Sequence, residues 1–223
     1  MNSLESLLAQ SSWSQSLDPA QAAQLRSEIV ERSVPAEGFV CQKGEPVEAW
    51  IGVISGLVKI SSVSFEGKAV TFAGVPSGGW FGEGSLLKPE SRRYDAVALR
   101  DSRIAFMPRR TFQRLLDTSI EFNRFLLLQI NERLGQFIGA LEHERLLGPE
   151  ARVARCLSQL FNRLLYPRAD NRIEISQREV GFLTGLSRQR VNQALQALQE
   201  RNLLRVEYGR IVVLALEELE TLE

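Results

Sequence analysis

Apolar and polar residues follow three different rhythms along the chain. From Ala36 to Pro108, β-rich runs such as Gly38-Phe39-Val40, Ala49 to Ile54 and Leu57-Val58-Lys59-Ile60 alternate with glycine turns at Gly44, Gly56, Gly67, Gly74, Gly78, Gly79 and Gly82. This is the spacing of antiparallel strands in a jelly roll or a related barrel. Glu66-Gly67-Lys68 predicts a hairpin turn, and Asp18-Pro19 predicts the start of one short helix ahead of the roll. Further on, Leu127, Ile130, Leu134, Phe137 and Leu141 recur at steps of three and four, the seam of a coiled coil on a long helix. Leu126, Leu128 and Ile138 fall on a neighbouring face that can pack on the roll. Gly135 and Gly139 each cost a helix about 1 kcal/mol relative to alanine, which implies a close approach there. Leu147-Gly148-Pro149-Glu150 then breaks the pattern and opens a new helix with proline in its first turn, so a hinge is expected at this point.

The third rhythm belongs to Ser176 to Glu200. Ser176 and Glu179 form an S-x-x-E capping box, Val180 and Leu183 supply an apolar side, and Gly185 suits the left-handed end of a helix. Ser187 then caps a second helix, in which Val191, Ala194, Leu195 and Leu198 share one face. Arg188, Gln189, Asn192, Gln193 and Gln196 share the opposite face, with Arg190 beside them and no carboxylate before Glu200. A solvated amphipathic face would look similar. Yet arginine pairs with guanine O6 and N7, and Asn or Gln pairs bidentately with adenine, so this face also fits a major groove. Arg172 to Ile175 reads as a strand, and Leu204 to Leu214 as a hairpin turning at Tyr208-Gly209. Strand, two helices and hairpin predict a winged helix-turn-helix whose second helix reads bases, with the wing and the capped helix ends, Ser176 and Ser187, near phosphates.

Composition limits the remaining chemistry. Across 223 residues, 27 basic and 27 acidic side chains cancel, so DNA binding must depend on local arrangement. Cys41 and Cys156 form no C-x-x-C pair, which points away from a disulfide framework or a zinc site and toward buried small side chains. His143 is the one histidine, too few for a metal site. A cupin-like metalloenzyme roll needs several histidines, and neither a G-x-S-x-G elbow nor a Walker loop occurs. With no apolar run of about 18 residues and no secretion signal in Met1 to Gln10, a cytoplasmic protein with no membrane partner is expected.

Taken in order, these parts resemble the bacterial catabolite-activator and fumarate-nitrate regulator family, Crp/Fnr. The resemblance covers nearly the whole chain. It is carried by Gly44-Glu45, by Ile54 to Val58, by Gly78 to Leu87 with Phe81-Gly82-Glu83, and by the helix-turn-helix from Ile175 to Leu204. The expected fold is therefore α+β: a cyclic-nucleotide-binding-like β-roll (a double-stranded β-helix or jelly roll) at residues 1–119, a dimerisation helix at 120–147 and a winged helix-turn-helix at 148–223. The resemblance implies a non-enzymatic transcription regulator. It would bind an inverted-repeat DNA operator as a homodimer joined at Leu127, Ile130, Leu134, Phe137 and Leu141, and would contact RNA polymerase if it is an activator. Where activator relatives carry Arg-Glu and a later Arg on the recognition helix, this chain has Arg188, Gln189 and Gln193, so a different operator is expected.

The same resemblance frames the effector. Gly82 and Glu83 precede a short segment starting Gly84-Ser85 whose backbone amides could face a phosphate, and Glu83 and Arg93 keep the ten-residue spacing of the ribose-binding glutamate and phosphate-binding arginine in cyclic-AMP-responsive members. Tyr94-Asp95 replaces the small hydroxyl after that arginine, and Phe137 and Ile138 stand where such members carry a Thr-Ser pair, both unfavourable for cyclic AMP. Glu83 and Arg93 then read equally well as an ion pair bracing the roll. An iron–sulfur cluster is excluded, since no cysteine precedes Cys41, and haem would have only His143 or a cysteine to ligate it. The effector stays unidentified at this level. The alternatives are a cyclic-nucleotide-responsive regulator proper, or a ligand or protein-interaction module without DNA readout.

Overall fold

A computed structural model describes residues 3–67, 69–88, 90–167 and 171–222, except the side chains of 143–145; Lys68 of the expected turn and His143 as a ligand thus lie outside what is described. The chain forms two compact units, one of residues 1–132 with Leu164–Pro167, the other of 133–163 with 168–223.

The first unit opens with two helices, α1 (Leu4–Gln10) and α2 (Pro19–Glu28), and a 3-10 turn at Ser12–Ser16 between them. Two helices, not the single one expected from the sequence, thus precede the roll. Ser3 caps α1 through the amide of Ser6, and Leu4 and Leu7 share its buried side, a period that is too short to register in the sequence. At α2 the Asp18–Gln21 capping box and Pro19 supply the start that the sequence predicts.

Eight strands follow: β1 (Val30–Val34), β2 (Phe39–Cys41), β3 (Ala49–Ser55), β4 (Leu57–Val63), β5 (Ala69–Pro76), β6 (Trp80–Phe81), then β7 (Asp95–Ala98) and β8 (Ser102–Pro108) after the four-residue helix α3 (Gly84–Leu87). They pair antiparallel in two sheets, β1-β8-β3-β6 and β2-β7-β4-β5. Strand β3 is apolar on both faces because both are covered. Ile51 and Val53 enter the roll interior with Val58, Val75, Phe81 and Ile104, whereas Trp50 and Ile54 join a second core beneath the helices. That second core holds Trp13, Trp50, Trp80, Phe112 and Phe122. Trp50 stacks on Trp80 at 4.5 Å, and tilted or edge contacts join the other rings, each such pair adding about 0.5–1.5 kcal/mol beyond burial. Gly52 makes room for the stack, since a Cβ there would lie 2.9 Å from the Trp80 ring.

Helix α4 (Arg109–Thr118) sets Phe112 and Leu115 into this core, and α5 (Ile120–Leu146) adds Phe122 and Leu126. The division between the two units falls within α5, after Glu132. At the end of α2, Glu28 receives a forked pair of hydrogen bonds from Arg114, 2.8 and 2.9 Å, and a third from Thr111 at 2.6 Å. The Arg114 guanidinium is the main reason its carboxyl is held down to about 2.

Leu164–Pro167 completes the first unit, and nothing in the hydrophobic pattern announces it. Leu165 and Tyr166 are buried in the roll interior, and the Tyr166 ring lies where a Cβ on Gly79 would otherwise stand, 2.7 Å away.

The second unit contains the latter part of α5, then α6 (Pro149–Gln159), β9 (Arg172–Glu174), α7 (Gln177–Thr184), α8 (Arg188–Glu200), β10 (Leu204–Glu207), β11 (Arg210–Val213) and α9 (Leu216–Thr221). Gly148 caps α6, with Pro149 in its first turn. The small sheet runs β10-β11-β9, and α6 packs on α7, α8 and α9.

Candidate nucleic-acid interface

The interface is built from the ends of α7 and the exposed side of α8. The Ser176 hydroxyl accepts from the Glu179 amide while the Glu179 carboxylate accepts from the Ser176 amide, so the first turn of α7 is closed reciprocally. At the other end Gly185 has φ 68° and ψ 16°, a left-handed conformation in which a side chain would be strained, and the Thr184 carbonyl accepts from Arg152 at 2.6 Å. Ser187 accepts from the Arg190 amide and starts α8. Val191, Ala194, Leu195 and Leu198 are buried beneath it, which fixes the rotation of the helix about its axis.

That rotation leaves Arg188, Gln189 and Gln193 exposed on the opposite side. Arg190, also exposed, lies round the helix from Arg188, as side chains two apart do. Asn192 is half-buried and accepts a 2.9 Å hydrogen bond from Gln177 Nε2, a partner the sequence alone does not reveal because fifteen residues and a turn separate them. The wing is anchored on both sides: Ile175 donates to the carbonyl of Gly209 at the hairpin turn, and Val206 donates to the Gln199 side chain. Glu207 is gripped by Arg210 and Arg205, chiefly Arg210, which holds its carboxyl below the ordinary range, and Tyr208 stands fully exposed at the tip.

The residues expected to meet an effector lie differently from one another. Gly82 has φ 92°, Glu83 is buried and accepts from the Trp50 indole at 3.3 Å, and Gly84 and Ser85 begin α3. Arg93 is exposed and its guanidinium grips Glu90 at 2.7 and 3.0 Å. The arginine that turns inward is Arg92, which donates to the Ala49 and Gly82 carbonyls at 2.7 and 3.3 Å. Parity explains the choice: the alternation that buries Ala96 and Ala98 in β7 carries Tyr94 and Arg92 inward, and turns Arg93 outward. That signal was present in the sequence. Tyr94 packs against the roll interior, while Phe137 and Ile138 stand exposed on the part of α5 in the second unit.

Neither thiol is set up to react. Burial pushes the Cys41 thiol up, and that of Cys156 up to about 12, so both disfavour the thiolate. Among the described residues no group of His, Cys, Asp or Glu is placed to hold a metal ion, and no helix is long and apolar enough to cross a membrane.

Comparison with known proteins agrees with this geometry. Residues 31–119 match the cyclic nucleotide-binding domain, and residues 151–222 match the Crp-like helix-turn-helix domain. A CRP-like cAMP-activated global transcriptional regulator of Mycobacterium tuberculosis is 26% identical over 94% of this chain and 95% of its own. The cAMP-activated global transcriptional regulator CRP of Haemophilus influenzae is 27% identical over 80% of this chain and 81% of its own. The solved structure of FixK2 from Bradyrhizobium japonicum shares the fold with a TM-score of 0.71 at 21% identity, covering 87% of this chain and 97% of that one. The two sequence relatives are described as transcriptional regulators, and with the matched helix-turn-helix domain they favour neither a catalytic roll nor a module without DNA readout.

Proposed function

The chain belongs to the Crp/Fnr family and is a DNA-binding transcription regulator; from this premise we propose that it binds an inverted-repeat operator as a homodimer, with α8 of each copy in the major groove. The observation that carries the reading is the acid-free face of Arg188, Gln189 and Gln193, held outward by a buried apolar face and flanked by the wing. Ser176, Ser187 and Arg190 lie at its margins, where phosphates would run. The dimer reading is supported by Leu127, Ile130, Leu134, Phe137 and Leu141, which are 38–69% exposed in the single chain along one stripe of α5. Such a stripe in water stands to gain from burial against a second copy. Two recognition helices would then enter successive major grooves about 34 Å apart. A DNA operator as partner goes with a cytoplasmic protein, and as an activator it would contact RNA polymerase.

The relatives described as cAMP-activated raise the question of the same signal here. We propose that cyclic AMP is not the signal here and that DNA binding does not require it. Glu83 is committed to Trp50 and Arg93 to Glu90, so neither is presented as the ribose and phosphate contacts that a cyclic nucleotide needs. Phe137 and Ile138 offer no hydrogen bonds to a base. Selection of bound genomic fragments with and without cyclic AMP tests both parts: a palindromic motif recovered equally in either condition is the expected result. No motif would defeat the operator reading, and a motif that appears only with cyclic AMP would defeat the effector reading.

A further inference from the structure

The hydrogen bond between α7 and α8 alters what the second helix can read. An asparagine on a recognition helix ordinarily selects adenine, because its amide accepts from N6 and donates to N7 together. Here the Asn192 Oδ1 already accepts from Gln177 Nε2, 2.9 Å away. The two arms of an amide diverge, so tying Oδ1 to α7 turns Nδ2 away from Gln177. Asn192 lies one turn beyond Arg188 and three residues beyond Gln189, on the edge of the same exposed face. Both partners are half-buried and their helices are fixed, α7 by its capping box and α8 by its apolar face, so the two side chains are kept within reach of each other.

We propose that Gln177 is a specificity-determining residue acting through Asn192: by drawing Oδ1 toward α7 it presents the Nδ2 donors to the groove and selects a base with acceptors on its major-groove edge. Guanine offers two such acceptors and thymine offers O4, whereas adenine leaves an amino group with nothing to accept it and cytosine offers only a donor. The half-site therefore carries guanine or thymine at the position Asn192 faces. Gln177 itself is a positioning residue in this scheme. The inference rests on α8 reading the major groove.

The test is selection from random duplexes by the full-length protein and by the Gln177→Glu, Gln177→Ala and Asn192→Ala variants. A carboxylate at 177 only accepts, so in Gln177→Glu the Asn192 amide must turn its Nδ2 inward and show Oδ1 to the groove. The preference at that one position then moves from guanine or thymine to cytosine or adenine, by about tenfold or more in relative affinity. Overall affinity falls because of the added negative charge. Gln177→Ala frees the amide and admits adenine, and Asn192→Ala abolishes discrimination at that position alone. Identical base profiles for wild type and both Gln177 variants would overturn the coupling while leaving groove reading intact. A wild type that selects no motif would overturn groove reading, and this inference with it.

Discussion

The Tyr166 hydroxyl donates to the carbonyl of Gly74 at 3.1 Å, across 92 residues, and so ties a segment from beyond α6 into the roll interior. All three tryptophans of the chain, Trp13, Trp50 and Trp80, lie in the adjoining core, so their emission reports on this unit. In urea, Tyr166→Phe should lower the stability of the tryptophan-monitored transition by about 1 kcal/mol through the lost hydrogen bond. Tyr166→Ala should cost about 3–5 kcal/mol through the cavity. An unchanged midpoint in both variants would mean that the segment does not brace the roll.

Acid should loosen the first unit through Glu28. Arg114 and Thr111 hold its folded-state carboxyl down to about 2, against an ordinary 4.5. A depressed carboxyl stabilises the fold fully above its unfolded value and loses that contribution as pH falls through the folded one. The wild-type roll should therefore lose stability between pH 4.5 and about 2, and Glu28→Gln should begin less stable at neutral pH but show a shallower acid slope. Thermal melts across that range check this, and parallel curves for the two proteins would contradict it.

The exposed stripe on α5 makes the oligomeric state testable. Phe137→Glu would set like charges at a seam position of both copies and should give monomers in sedimentation. A variant that remains dimeric would show that the copies meet elsewhere.

Arg188 stands at the start of α8 with no acidic neighbour before Glu200. Arg188→Ala should weaken binding to the selected operator by about 1–3 kcal/mol and relax preference at one base pair per half-site. Equal weakening on every duplex would reduce Arg188 to a phosphate contact.

The helix-turn-helix was legible because its signals are local: the Ser176–Glu179 box, Gly185 and the period of Val191, Ala194, Leu195 and Leu198 all act within a few residues. The roll was legible as a fold from its strands and glycines. Its interior was less so. The sequence spacing points to Arg93, but strand parity turns Arg92 inward, and Glu83 accepts from Trp50, a partner 33 residues away. Tyr166 was invisible for the same reason, since its burial depends on a gap at Gly79 that no local pattern encodes. Asn192 could be placed on the exposed face from periodicity, whereas its tie to Gln177 needed the packing of α7 against α8.

Operator reading by a dimer is measured by the affinity of the full-length protein for its selected inverted repeat against a duplex of the same length with both half-sites scrambled, at several salt concentrations. Two chains per repeat, a preference of about a thousandfold or more at physiological salt, and log affinity that falls steeply and linearly with log salt are expected. Equal affinity for the two duplexes, with little response to salt, would contradict operator reading.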